Sequence, residues 1–373
     1  MKSNYCKIYA LAFAALSSIT FGCQKDMSNP PASSRQNADK SSSSPKDFKD
    51  FVQVNLTADN SLYDASNIDQ SLVNAWGLDF PTSGNIRVAA EGTSMSNLYT
   101  FDGAIVPDAV FMPGTGKPGN ARSHPTGNVC NLSSDFKLPD GNAAQLIYAS
   151  TDGFITGWNE GTTAITMVDK SSQASYFGIT MASDAGSNYL YAANFRQGKI
   201  DVYDKNWNAV NKSFADPNMP VGYSPFNIQN VDGKLYVTYA KLVSGEEETG
   251  SGKGYINVFN PNGILEKRFA SQGKLNAPWG VVKAPDNFWG SGNPLANLIL
   301  VGNFGDGRIS IFDENGNYVS QLYSHGKVIE IDGLWGIAFP PPPAFNNTYL
   351  YFTAGPDNEQ HGLFGYIKNA FIN

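Results

Sequence analysis

Apolar and polar positions alternate along this chain in paired runs separated by short turns. The clearest pair of copies is Tyr189 to Asp204, YLYAANFRQGKIDVYD, and Leu298 to Asp313, LILVGNFGDGRISIFD. Each has an apolar run, Asn-Phe, a Gly-containing turn, a basic residue, an alternating apolar run and a closing Asp. A period of two sends successive side chains to opposite faces of an extended chain, so each copy predicts a β-hairpin. Further copies fall at Asn85–Asp102, Gln145–Asn159, Lys234–Asn260 and Tyr349–Ile367.

A second marker sets the period. An aromatic residue followed by Gly or Asn and an aliphatic residue occurs as Trp76-Gly77-Leu78, Phe177-Gly178-Ile179, Phe226-Asn227-Ile228, Trp279-Gly280-Val281 and Trp335-Gly336-Ile337. A degenerate copy, Thr126-Gly127-Asn128, fills the one gap. Positions 76, 126, 177, 226, 279 and 335 are 50, 51, 49, 53 and 56 residues apart. Near-equal units of this size, in this number, predict an all-β, six-bladed β-propeller with four strands per blade. The first strand follows the marker, and the hairpin supplies the second and third. Runs such as Ala109–Met112, Lys212–Ala215 and Glu266–Ala270 supply the fourth. After the sixth hairpin little chain remains for a fourth strand. The orphan run Phe51–Leu56 is expected to complete the last blade and close the ring, which removes exposed strand edges. The marker glycine should let backbones approach closely around the axis. The aromatic before it should wedge between adjacent blades.

Composition agrees with short strands and tight turns. Charged residues make up 16%, and Gly (37), Phe (23) and Tyr (18) are abundant among the 373 residues. The net charge of −7 and the lack of a basic stripe argue against a nucleic-acid partner.

The start of the chain reads as an address. Lys2 and Lys7 precede a mostly apolar run, Ile8 to Ile19, which is too short to span a bilayer and fits a secretory signal. Gly22-Cys23 resembles the lipobox of bacterial lipoproteins, with Thr20 where Leu is usual, and Cys23-Gln24-Lys25-Asp26 resembles an acidic surface-export signal. The expected organisation is a signal peptide over 1–22, acylation (palmitate) at Cys23, a disordered Ser/Pro/Asn/Lys-rich tether over 23–50 and a propeller over 51–373. The resemblance implies export and lipid anchoring to a bacterial outer membrane, on its periplasmic or cell-surface side. With Cys6 in the signal and Cys23 acylated, Cys130 has no partner for a disulfide and is expected to be a small buried side chain.

From Phe51 on, the Asn-Phe, Gly-turn and Arg/Lys-Ile hairpins resemble exported six-bladed propellers of the NHL-repeat and TolB-like kind. The chain also looks like an exported family some of whose members end in PEP-CTERM tails. Such motifs specify a fold rather than an activity.

In a propeller the lead-ins to the first strands and the turns between second and third strands open on one face. The turns place Glu91, Asp152, Asn194, Asn303 and Asp357 as candidate channel-mouth ligands, able in kind to bind a hard cation such as Ca²⁺. The lead-ins and markers add Asn74, Trp76, Arg122, His124, Trp279 and Trp335 as candidate ligand contacts. Asn194 and Asn303 would equally serve as caps of their own turns. The loop Gly245–Gly250 carries three consecutive Glu and reads as a solvated loop or a partner contact. No nucleophile elbow, phosphate loop or zinc pattern is present. The sequence therefore points first to a binding or scaffold module for a protein, glycan or small ligand. The alternative is a Ca-like metal-dependent hydrolase or lactonase at the channel mouth, with Glu91, Asn194 and Asn303 as ligands.

Overall fold

The computed structural model describes residues 48–82, 84–117, 120–290, 295–344 and 346–371. The expected signal peptide, Cys23 and the tether as far as Asp47 lie outside the described residues.

Six sheets form the propeller expected from the repeats. Blade 1 runs Ala75–Asp79, Ile86–Ala90, Met95–Tyr99 and Ile105–Phe111. Blade 2 runs Pro125–Cys130, Leu146–Ser150, Phe154–Trp158 and Ile165–Asp169. Blade 3 runs Tyr176–Asp184, Ser187–Asn194, Lys199–Asp204 and Ala209–Val210. Blade 4 runs Tyr223–Val231, Lys234–Val243, Tyr255–Phe259 and Leu265–Ser271. Blade 5 runs Pro278–Lys283, Ile299–Asn303, Ile309–Phe312 and Tyr318–Gln321. Blade 6 runs Leu334–Ala338, Leu350–Ala354 and Leu363–Asn369, and Phe51–Ala58 completes it. Val52 pairs with Lys368 and Val54 with Tyr366, antiparallel. The earliest strand thus closes the ring.

Three details differ from the expectation. The markers lie inside the first strands rather than before them, at a register shift where the aromatic has no partner on the second strand. The fourth strand of blade 3 is Ala209–Val210 and does not extend over Lys212–Ala215. Phe48 belongs to the fold and not to the tether: it is 2% exposed and packs edge-on against Trp289.

The six junctions between neighbouring blades each hold a buried apolar cluster. Another lies on the axis. It joins Trp76, Phe177, Phe226, Trp279 and Trp335 from blades 1, 3, 4, 5 and 6. Trp76 stacks on Trp335 at 3.5 Å between centroids, and meets Phe177 at 5.3 Å and Trp279 at 6.1 Å. Trp76 thus touches side chains of non-adjacent blades, so the marker aromatics converge on the axis and plug it instead of wedging between neighbours. The glycines beside them permit this. A Cβ on Gly336 would fall 2.7 Å from Trp76 O, and one on Gly178 would fall 1.9 Å from Asn227 Oδ1. Polar bonds stitch the same level: Thr126 Oγ1 donates to Tyr176 O at 2.8 Å and Asn227 Nδ2 to Trp279 O at 3.0 Å.

Candidate acidic mouth of the propeller

Above the plug, on the face of the second-to-third-strand turns, carboxylates from several blades gather. The organiser is Asn74, buried at the lead-in to blade 1. Its backbone takes a left-handed φ of 49°, which Asn tolerates better than most residues. Its Nδ2 donates to Glu91 Oε2 at 3.0 Å and to Glu359 Oε2 at 2.7 Å, while its Oδ1 accepts from Trp335 Nε1 at 3.0 Å. Glu91 opens the turn of blade 1. Glu359 ends a run of three left-handed residues, Asp357, Asn358 and Glu359, in the turn of blade 6.

Blade 4 adds the carboxylates of Glu246 and Glu247. The Gly245–Gly250 loop is not a free solvated run: Glu246–Glu248 pairs with Val243, Leu242 and Lys241 and extends the hairpin. Glu248 is clamped by Lys241 and Lys253, both at 2.7 Å, which hold its carboxyl down to about 2. Glu247 is half-buried. Burial first, and then the charges of Glu359 and Glu246, push its carboxyl up to about 8. Burial also raises Glu91 and Glu359, and the nearby carboxylates add to it. Among the described residues none of Glu91, Glu246, Glu247 and Glu359 is ion-paired to lysine or arginine.

Blade 2 supplies a dyad. Asp152 Oδ2 contacts His124 Nδ1 at 2.8 Å and accepts from the His124 backbone N–H at 2.8 Å. The bond to Asp152 raises the imidazole's proton affinity. Burial opposes ionisation of Asp152, but the bonds from His124 outweigh it and leave the carboxyl below its ordinary value. His124 and Asp152 lie close enough for their charges to act on Glu91.

The other sequence candidates lie elsewhere. Asn194 donates to Asp201 at 2.8 Å and accepts from Gln197 N at 3.2 Å, and Asn303 donates to Lys274 O at 2.9 Å and accepts from Asn276 N at 3.1 Å. Asn194 caps its own turn, whereas Asn303 ties its turn to the lead-in of blade 5, and neither bonds Glu91. Among the described residues no group of three His, Cys, Asp or Glu is placed to hold a metal ion. As arranged, these side chains do not form a Ca²⁺ cage. Asp357 is exposed and its N–H bonds Asp332 at 2.8 Å. Arg122 lies over the Phe111 ring at 4.1 Å. Trp76, Trp279 and Trp335 are 3%, 2% and 0% exposed and form the plug rather than a ligand-facing wall. From the sequence, the polar cluster over 357–361 could reach the channel mouth and the loop carrying Glu246–Glu248 could be a partner contact, but Glu359 and Glu247 do not stand out individually, because the left-handed turn and the added strand that place them are not legible there. At the other end of the axis the first strands line a separate funnel of about 400 Å³ that includes Asp79, Asn128 and Gln229.

No protein-family model matches the chain. Among solved structures, a GH93 α-L-arabinofuranosidase of Fusarium graminearum aligns with TM-score 0.55 and 11% identity, over 87% of this chain and 98% of that one. Virginiamycin B lyase from Staphylococcus aureus aligns with TM-score 0.50 and 11% identity, over 85% and 98%. At such identities these likenesses show the fold alone. Two Acanthamoeba polyphaga mimivirus proteins are much nearer in sequence. Uncharacterized protein R648 is 32% identical over 335 residues, 84% of this chain and 80% of its own length. Uncharacterized protein L690 is 32% identical over 342 residues, 86% and 87%. The chain belongs to the family of six-bladed propellers that includes these two mimivirus proteins.

Proposed function

We propose that the protein is a binding module whose recognition surface is the acidic mouth, and that its ligand presents an ammonium or guanidinium group. The observation that carries this reading is the surplus of unpaired carboxylates around Asn74. Glu91, Glu359 and Glu247 come from three blades and hold their protons above the ordinary range. A bound cation would relieve that repulsion and replace the missing lysine or arginine. A lysine or arginine side chain of a protein, an amino sugar or a polyamine has this chemistry. Spermidine is a simple probe. It should raise the melting temperature of the full chain by mass action, and Glu91→Gln with Glu359→Gln should abolish the rise. A rise of the same size with Ca²⁺ would favour the metal-binding reading instead.

The same proposal includes export and a lipid tether at Cys23, on the periplasmic or outer side of a bacterial outer membrane. The basic start, the apolar run and Gly22-Cys23 support it. Labelled palmitate should enter the wild-type chain and not Cys23→Ala.

One observation favours a second reading, a hydrolase or lactonase at this mouth. The His124–Asp152 dyad and the proton-holding Glu91 would form an acid–base set acting on water. Turnover of a lactone and glycoside panel, lost in Glu91→Gln, would establish it.

A further inference from the structure

The axis has a second opening, on the far side of the plug from the acidic mouth. There the funnel of about 400 Å³ has apolar walls from Leu78, Ile179, Val281 and Ile337. It narrows to a tip of about 20 Å³ bounded by Gly77, Gly127, Asn128, Gln229 and Trp279. A space of that size has room for one small polar group or one water.

One residue at the tip breaks the repeat. The aliphatic place of the marker is Leu78, Ile179, Ile228, Val281 or Ile337 in the other blades, and Asn128 in blade 2. Asn128 is 8% exposed. Its Nδ2 donates to Arg87 O at a long 3.5 Å, and its buried Oδ1 has no hydrogen-bond partner among the described residues. That oxygen lies at the tip, since a Cβ on Gly77 would fall 2.5 Å from it. A buried acceptor left unmet is destabilising, and the aliphatic side chain of the other blades would avoid it.

The funnel also carries one uncompensated carboxylate. Asp232 at its rim is paired with Lys283 at 2.7 Å. Asp79 accepts from Cys130 N, two residues along the strand from Asn128, at 2.6 Å and from Phe80 N at 2.8 Å. Among the described residues no lysine or arginine is ion-paired to Asp79. Arg87, its partner in the ladder, is held by Asp108 at 2.7 Å.

We propose that this funnel is a second binding site, and that its ligand is a small alkylammonium. The ammonium head donates to Asn128 Oδ1 and is attracted by Asp79, and the alkyl body lies along the apolar walls. The unmet acceptor selects a donor head over a carbonyl or carboxylate. The unpaired Asp79 selects a cation over an alcohol, and the walls select an alkyl body over a bare ion. The plug separates this site from the acidic mouth, and the assignment does not rest on what the mouth binds.

Hexylammonium, 1-hexanol and hexanoate, each titrated calorimetrically into the full chain carrying Glu91→Gln and Glu359→Gln, test it. That background removes two carboxylates of the mouth as competitors. Hexylammonium is expected to bind, hexanol more weakly and hexanoate not at all. Adding Asn128→Leu should weaken hexylammonium by about tenfold or more. It should leave the melting temperature equal or higher, because the unmet acceptor is gone. Asp79→Asn should bring hexylammonium down to the level of hexanol. No binding of hexylammonium, equal binding of all three probes, or affinity unchanged by both Asn128→Leu and Asp79→Asn would overturn the proposal. A lower melting temperature in Asn128→Leu with undiminished binding would assign the tip to a structural water and overturn it as well.

Discussion

Glu359 Oε2 accepts a hydrogen bond from Asn74 Nδ2 at 2.7 Å, across 285 residues of sequence and the junction of blades 6 and 1. The same amide reaches Glu91, and its oxygen receives the Trp335 indole N–H. One buried side chain therefore couples the carboxylates of the mouth to the plug beneath them.

Asn74→Ala removes all three bonds and strands the buried indole N–H. A buried polar group left without a partner costs about 1–3 kcal/mol. Alanine is also less suited than Asn to the left-handed backbone at this position. Urea unfolding should show a loss of at least ~2 kcal/mol. An unchanged midpoint would mean that Asn74 does not organise the mouth.

Trp335→Ala separates the plug from a ligand-contact role. Trp335 is fully buried and stacks on Trp76 at 3.5 Å and Phe304 at 4.1 Å. Truncating a buried tryptophan costs about 3–5 kcal/mol, and the melting temperature should fall accordingly. A ligand-facing ring would instead change binding and leave stability nearly intact.

The mouth predicts a pH dependence of known sign. Glu247 holds its proton up to about 8 in the fold, against 4.5 ordinarily. Between those values the folded chain binds more protons than the unfolded one, so stability falls as pH rises from about 4.5 to about 8. Glu91, Glu359 and His124, all raised, act in the same direction. Glu248 acts oppositely in a separate acid window: its contribution is present above the ordinary carboxylate range and is lost as pH falls toward 2. Thermal melts across neutral pH should show a falling midpoint, and Glu247→Gln should flatten the slope. A slope that Glu247→Gln leaves unchanged would contradict the placement of this side chain.

Period and hairpin chemistry make the ring legible in the sequence. The spacing from Trp76 to Trp335 counts the blades, and the orphan Phe51–Leu56 announces the closure. Convergence of the aromatics on the axis was not legible, because spacing along a chain does not say whether a side chain leaves a strand sideways or inward. The fourth strand of blade 3 was misplaced for a related reason. Lys212 and Phe214 read as strand residues, yet a salt bridge and two aromatic contacts from other parts of the chain draw them off the sheet. At the mouth, Asn74, Glu91, His124 and Asp152 could be named from their turns. Glu359 was legible only as part of the polar cluster over 357–361: with three left-handed residues in succession, it is Glu359 that meets Asn74 while Asp357 stays exposed.

The most direct measurement is calorimetric titration of spermidine into the full chain near pH 7, repeated in two buffers of different ionisation enthalpy. A cation seated among Glu91, Glu247 and Glu359 should lower their proton affinity, so binding should release protons and tighten as pH rises. Glu91→Gln with Glu359→Gln should remove both the binding and the release. Wild-type binding without proton release, or binding undiminished in the double variant, would contradict the account.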